Sequence, residues 1–481
     1  MVEFCRRFVD TESREKLFHR RVSGVPYWHL IRYWLFNDLV LPKYMNFGVS
    51  HPDDLAKKTQ SRSFLSRVTE KLLHNPETAF KKRPVLFAMT PRTASFGDGV
   101  EGSVLLDFIT DRLKSPYALF EHSRLCGYTR QPSFRKVFHL PFKARIRRAV
   151  SAPGGAFDLA APDRKAEAEF LSSILEKAYG FAFESGRIWW MIDDVLRFRA
   201  IYSDLFKRWL DRLGVRVLVT AVPEVKENAL LAEAAHSLGI PVVEMQHGTI
   251  HRNHMVYRLG EKGSPYSPDY LLTWGEHWSE QALNYPNIEA VATGYPFLDH
   301  FARKCPRRPR GSAEAFRVLF ISQGGIGADL SRAAVRLLGS LPSGTCSITY
   351  KLHPNETRTW RDIYPWLVDS GVKVVGNDEK NIFECLQDAD VTVGSTSSSL
   401  VEGFAWGVRA LVLKWLPGYE IMKDFCDSGA AELVESENAL FDRIRALAGE
   451  PDEKEFKFGK STFWTPDAAD NIASFLENII S

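Results

Sequence analysis

The feature that most constrains this chain is an alternation of short apolar runs with helix-like stretches that stops once, at a basic proline-rich segment, and then starts again. Residues 84–90 are a short apolar run closed by Pro91 and Arg92, as expected of a buried strand entering a loop. A glycine-rich loop follows at 95–103, and then helix-like residues at 105–113. Further strand-like runs lie at 215–220, 240–245 and 270–274, with a helix-like stretch at 228–238. Between 304 and 311 the chain turns basic and proline-rich and loses its large apolar residues, which marks a linker. The alternation restarts with strands at 317–321, 347–352, 372–375, 391–393 and 410–413. Alternation of this kind predicts parallel sheets covered by helices on both faces. The fold class is therefore α/β, with two Rossmann-like domains facing a central cleft. The expected units are a helical N-terminal extension at 1–82, a first domain at 83–303, a linker at 304–316 and a second domain at 317–481. Ligands of such sheets bind beyond the carboxyl ends of the strands, so the loops at those ends should line the cleft.

Composition narrows the partners. Lys and Arg number 62 against 59 Asp and Glu, a formal charge of +3 in 481 residues, which argues against nucleic acid as a default partner. The 6 cysteines include no Cys-x-x-Cys pair, so a zinc ribbon or disulfide scaffold is not expected and a reducing cytoplasm fits. No apolar run reaches the roughly 18–20 residues that span a bilayer. Arg6, Arg7, Asp10, Glu12, Glu15 and Lys16 interrupt the N-terminus, so it lacks the apolar core of a secretory signal. The first 80 or so residues read as mainly helical, with an apolar face at 30–39 and a second helix at 64–73. They form either a cap on the larger domain or, flanked by Arg20, Arg21 and Arg32, a membrane-surface helix. Segment 134–148 interleaves aromatic residues with Lys and Arg, and is either a solvated basic helix or a contact for an anionic inner-membrane leaflet.

The most informative segment is 389–413. A strand runs to Gly394, five small polar residues follow (Ser395, Thr396, Ser397, Ser398, Ser399), and a helix carries Glu402. Hydroxyls and free backbone N–H groups at a helix start suit a phosphate or diphosphate, and Glu402 suits ribose hydroxyls. An ordinary serine cap is the plainer reading, though it needs only one such residue. This stretch resembles the donor-binding helix of GT-B fold glycosyltransferases and related sugar-nucleotide epimerases: strand, small-residue turn, Glu402, Gly407, then the strand at 410–413. Residues 291–299, with Gly294, Pro296 and Asp299, are similar to the segment in which that family crosses from its first to its second domain. The turn Gln246, His247, Gly248, Thr249 and the pair His353-Pro354 resemble bacterial surface-polysaccharide transferases of this fold, including capsule, lipopolysaccharide and teichoic-acid polymerase types.

The resemblance implies a donor site made by His353, Gly324, Gly325, residues 395–399 and Glu402, with His353 stabilising the leaving phosphate. From the residues themselves, His247 at a strand end can act as a general base. Asp98 and Glu101, in the loop after the first strand, are alternative bases or simply solvated turn residues. Arg92, Gln246 and His254 are candidates for acceptor or phosphate contacts. His247, His251 and His254 lack a completing carboxylate or cysteine, so no metal site is expected. The expected activity is metal-independent transfer of a sugar from a CMP-, UDP- or GDP-linked donor, with no cofactor beyond that co-substrate. The acceptor would be a hydroxyl of a growing surface polysaccharide or lipid-linked glycan, reached from the cytoplasm. The alternatives are transfer of a polyol phosphate from a CDP donor, a non-catalytic nucleotide-sugar-binding scaffold and, less well fitted by the helical N-terminal region and the Gln246-His247-Gly248 turn, a sugar-nucleotide epimerase.

Overall fold

The computed structural model describes residues 2–43, 81–89, 93–95, 101–121, 137–139, 161–222, 224–251, 254–257, 264–282, 288–311, 313–450 and 460–481. Its strands in chain order are β1 (Val85–Met89), β2 (Thr93–Ser95), β3 (Glu101–Ser103), β4 (Tyr117–Glu121), β5 (Val137–His139), β6 (Val217–Thr220), β7 (Val242–Met245), β8 (Tyr270–Thr273) and β9 (Glu289–Ala292). After the linker come β10 (Phe316–Ile321), β11 (Cys346–Lys351), β12 (Lys373–Val375), β13 (Val391–Gly394), β14 (Arg409–Leu413) and β15 (Ala431–Val434). Among the described residues, one sheet has the order β5-β4-β1-β6-β7-β8-β9 and the second the order β12-β11-β10-β13-β14-β15. Every neighbouring pair in both sheets is parallel. Each sheet thus reverses direction of growth beside its first strand, between β1 and β6 and between β10 and β13. That is the Rossmann-type order, which opens a crevice at the reversal. Two such sheets in one chain give the GT-B architecture.

The strands form because they are apolar on both sides: all four residues of β6, β7 and β13 are buried. Two local expectations change. The stretch read as a loop at 95–103 is closed by an antiparallel pairing of β2 with β3. The helix expected at 105–113 spans only Asp107–Thr110. Two long helices that the alternation did not reveal, Ala161–Tyr179 and Ser185–Leu213, stand between β5 and β6. The second ends where Gly214 turns left-handed, at φ 60°.

The N-terminal extension contains the helices Val2–Arg14 and Trp28–Leu35, packed into the same apolar core as that helical pair. Charged contacts fix it in place. Arg32 grips the Glu12 carboxylate at 2.6 and 2.7 Å and donates to the Met255 carbonyl at 2.7 Å. Arg20 and Tyr27 both donate to Glu167. The second helix read at 64–73 lies outside the described residues.

The linker directs positive charge at the second domain, where Arg307 and Arg310 approach Asp390 at 4.0 and 3.6 Å, beside Arg317 of β10 at 2.7 Å. After β15 and the helix Glu437–Ala448 the chain returns to the first sheet. Asp299 accepts from the N–H of Ala468, at the start of the last helix, Ala468–Ile480. Thr465 donates to the Trp274 carbonyl at 2.8 Å. The return explains Gly294, which has φ 101° and lies so close to Ala468 that a Cβ there would stand 2.6 Å from its methyl group. Gly275 is crowded in the same way by the backbone of Phe463.

Candidate functional site

The register of the second sheet sets its carboxyl edge. Ile321 pairs with Lys351 and Phe320 with Val393, so the loops that follow β11, β10 and β13 stand side by side across the reversal. In the loop after β10, Gly324 and Gly325 are exposed and have open space where a side chain would be. Gly325 has φ 88°, which only glycine adopts without strain. The backbone there can approach a ligand closely.

His353 follows β11 in a half-buried position. Its Nδ1 accepts the N–H of Asn355 at 3.3 Å, so the neutral ring carries its proton on Nε2. Burial pushes its pKa below the usual histidine value, with Glu356 opposing, and the ring is neutral at pH 7. A neutral, oriented N–H donor is suited to an anionic oxygen. Glu356 holds the turn: one oxygen accepts from the N–H of His353 at 2.9 Å and the other from the Tyr364 hydroxyl at 2.7 Å. A Cβ on Gly327 would collide with that Tyr364 hydroxyl and stand 2.7 Å from Glu356 Oε1. Tyr350 of β11 holds the segment after β10: its hydroxyl donates to the Gly327 carbonyl at 2.9 Å and pairs with the Ser322 hydroxyl at 3.0 Å. Glu356, Tyr364 and Tyr350 are absent from the sequence-based site. The signal for Glu356 was its place three residues after His353, the spacing at which a side chain caps its own turn.

The five small polar residues after β13 divide by task. Ser395 is buried and donates to the Pro417 carbonyl at 2.8 Å. Thr396 is half-buried against Gly418, and Ser397 caps the next turn by accepting from Ser399 N at 3.3 Å. Ser398 and Ser399, both half-buried, aim their hydroxyls at Glu402, at 3.5 and 3.0 Å. The helix is short, Ser398–Glu402, and continues as a tighter turn over Gly403–Trp406. Glu402 is thus its last residue, and the binding capacity rests on hydroxyls and a carboxylate more than on a helix end. Burial pushes the Glu402 carboxyl up to about 7, with the Ser399 and Ser398 hydroxyls opposing.

At the first sheet's edge, β7 runs into the Gln246–His247–Gly248 turn. Gln246 is buried and its amide is committed: Nε2 donates to the Gly248 carbonyl at 2.8 Å, and Oε1 accepts from Trp274 N at 2.8 Å. It therefore staples the turn from a buried position. His247 sits half-buried inside that staple. His254 lies over a second turn, its ring 5.2 Å from that of His251 and 5.1 Å from that of Tyr257. Burial pushes its pKa down to about 3, helped by His251 and Arg32, so the half-buried ring is uncharged. Glu101 opens β3 opposite Ser95. Arg92, Asp98 and most of the basic segment 134–148 lie outside the described residues, apart from the backbone of β5. Among the described residues, no group of three or more His, Cys, Asp or Glu could hold a metal ion, and no helix is long and apolar enough to cross a membrane.

No family model and no curated protein sequence matches the chain. Solved structures similar to it include UDP-GlcNAc 2-epimerase from Methanocaldococcus jannaschii, at 9% identity over 82% of this chain and 99% of that one, with a TM-score of 0.47. MurG from Acinetobacter baumannii has 12% identity, 82% and 100% coverage and a TM-score of 0.46. The apo form of the lipopolysaccharide outer core galactosyltransferase WaaB has 11% identity, 82% and 99% coverage and a TM-score of 0.40.

Proposed function

We propose that this chain is a metal-independent glycosyltransferase that moves a sugar from a CMP-, UDP- or GDP-linked donor to a hydroxyl of a growing bacterial surface polysaccharide or lipid-linked glycan. The observation that supports it best is the grouping at the second sheet's edge: open glycine backbone at Gly324 and Gly325, the Nε2–H of His353, and Glu402 with its two serine hydroxyls. These are the parts a nucleotide diphosphate or monophosphate needs. Glu402 accepts from ribose hydroxyls, and backbone N–H groups and His353 take phosphate oxygens. As the bond from the anomeric carbon to the phosphate breaks, charge grows on the leaving oxygen, and a fixed N–H donor stabilises it. On the opposite edge His247 removes the proton from the acceptor hydroxyl whose oxygen attacks that carbon. Asp98 and Glu101 are the alternative bases. Segment 134–148 is the proposed contact with an anionic leaflet where a lipid-linked acceptor would lie.

The test is a thermal-shift panel of UDP-, GDP-, CDP- and CMP-linked donors, with and without EDTA. A ligand that binds only the folded chain raises its melting temperature with occupancy. One nucleotide class should stabilise the protein, independently of EDTA, and Glu402→Ala should abolish the shift. Stabilisation by CDP-polyols alone turns the reading to polyol-phosphate transfer. No shift with any donor overturns it.

A further inference from the structure

Beneath the histidine turns lies a carboxyl group that the transfer scheme does not use. Glu244 is the third residue of β7, 0% exposed, in a strand otherwise made of Val242, Val243 and Met245. Its register partners are Thr220 of β6 and Leu271 of β8, so all three side chains share one face of the sheet. Neither Glu244 oxygen makes a hydrogen bond of normal geometry, and neither does the Thr220 hydroxyl. The groups that act on Glu244 are the buried Glu224, from the loop after β6, and the Tyr257 hydroxyl.

Among the described residues, the charged groups on the elements packed over this face have other partners. Arg32 of the N-terminal extension binds Glu12 and the Met255 carbonyl, Arg199 binds Glu233, and Lys226 binds Asp194. Glu227, at the start of the helix Lys226–His236, adds another buried acid, while His251, His254 and Tyr266 are the remaining titratable rings. Among the described residues, no cation is thus shown to compensate Glu244. An ionised carboxylate accepts hydrogen bonds and donates none, which suits Glu224 badly, whereas a protonated one can donate to it and accept from hydroxyls. Removing a lone charge from water with no partner costs several kcal/mol, so such a group gives up its charge instead.

We propose that Glu244 is an uncharged carboxylic acid that, with Glu224, positions the Met255–Tyr257 turn under the clamp of Arg32, and so makes the N-terminal extension part of the first sheet's functional edge. The link to catalysis rests on the transferase reading; the protonation state does not. Burial and Glu224 raise the Glu244 carboxyl well above its ordinary value. A group raised in this way contributes its full stability below its unfolded pKa and loses it as pH rises towards the folded one.

The experiment is melting temperature against pH from 5 to 9 for the full chain and for Glu244→Gln. The glutamine variant should match the wild type near pH 5 and exceed it increasingly towards pH 9. If Glu244→Gln fails to fold, Glu224→Gln carries the test, because it removes the like charge and should also raise stability at high pH. A pH-independent difference in either variant, or a Glu244→Gln chain less stable at pH 8 than at pH 5 relative to wild type, overturns the proposal. Where transfer is measured, Glu244→Gln should retain turnover. Glu244→Ala should lower kcat about tenfold or more with donor KM unchanged. Equal losses in both variants would overturn the positioning role even if transfer itself stands.

Discussion

At the carboxyl edge of the second sheet, most of the polar groups that shape the loops are matched to one another (Tyr350 to Ser322, Glu356 to His353 and Tyr364, Ser395 to Pro417), with Thr357 Oγ1 and Glu420 Oε2 the buried exceptions. At the edge of the first sheet, Glu244, Thr220 and His254 carry buried polar atoms without such a match, and the turn above them hangs on an ion pair supplied by helices outside the sheet. A matched edge is preorganised, and it suits a charged ligand of constant shape such as a nucleotide. An edge that leans on an appended element can change with that element, as a site for a variable acceptor must. If the comparison is sound, damage to the first edge should affect stability and turnover but spare donor affinity, and damage to the second should do the reverse.

The largest effect is expected from the clamp. Arg32 and Glu12 are 3% and 1% exposed, so Arg32→Met leaves a buried carboxylate without its partner. A loss of about 3–5 kcal/mol is expected by chemical denaturation. Replacing both residues by apolar ones should recover part of it, and a loss below 1 kcal/mol would detach the N-terminal helices from the first edge. Gln246→Leu removes the staple around His247 and should cost about 1–3 kcal/mol, since it strands buried partners at Trp274 and Gly248. Its donor affinity, read by calorimetry, should stay within error of wild type.

The second edge predicts a pH effect. Burial pushes the Glu402 carboxyl up to about 7, and in the proposed donor site ribose hydroxyls would favour its charged form. Donor affinity should therefore rise by up to about tenfold from pH 6 to pH 8, and Glu402→Gln should flatten that slope. The same raised carboxyl makes Glu402 a contributor to folded stability that fades as pH climbs through 7. The smallest effects separate the serines. Ser395→Ala should lower stability by about 1 kcal/mol and leave donor binding alone. Ser399→Ala should change stability little and shift the pH midpoint of donor binding upward, because one donor to the Glu402 carboxylate is lost.

The legible parts of the fold were those governed by local pattern. Continuous apolar runs bounded by turns located β1, β6, β7, β8, β10, β11, β13 and β14 to within a residue or two. Short or less apolar strands, such as β5 and β9, gave too little periodic signal, and the helices Ala161–Tyr179 and Ser185–Leu213 follow one another with no strand between them to frame the alternation. The return of 460–481 to the first sheet was hidden because docking is a long-range fact, although Gly294 and Asp299 carried its local trace. In the site, residue type and loop position brought Gly324, His353, Ser399 and Glu402 to one edge. What they could not reveal was commitment: Gln246 and Ser395 look like ligand groups in sequence, and their hydrogen bonds are spent on the fold. The reverse holds for Glu244, whose oddity is a single acid inside an apolar strand, visible in sequence but easily passed over.

The division between the two edges is tested most directly by donor titration calorimetry on His247→Ala and Glu402→Ala beside the wild type, with transfer assayed on the same preparations. The account predicts that His247→Ala binds donor as the wild type does and has lost turnover, while Glu402→Ala has lost donor affinity. If His247→Ala abolished donor binding, or Glu402→Ala bound donor normally, the assignment of the nucleotide to the second sheet and of the acceptor chemistry to the first would be wrong.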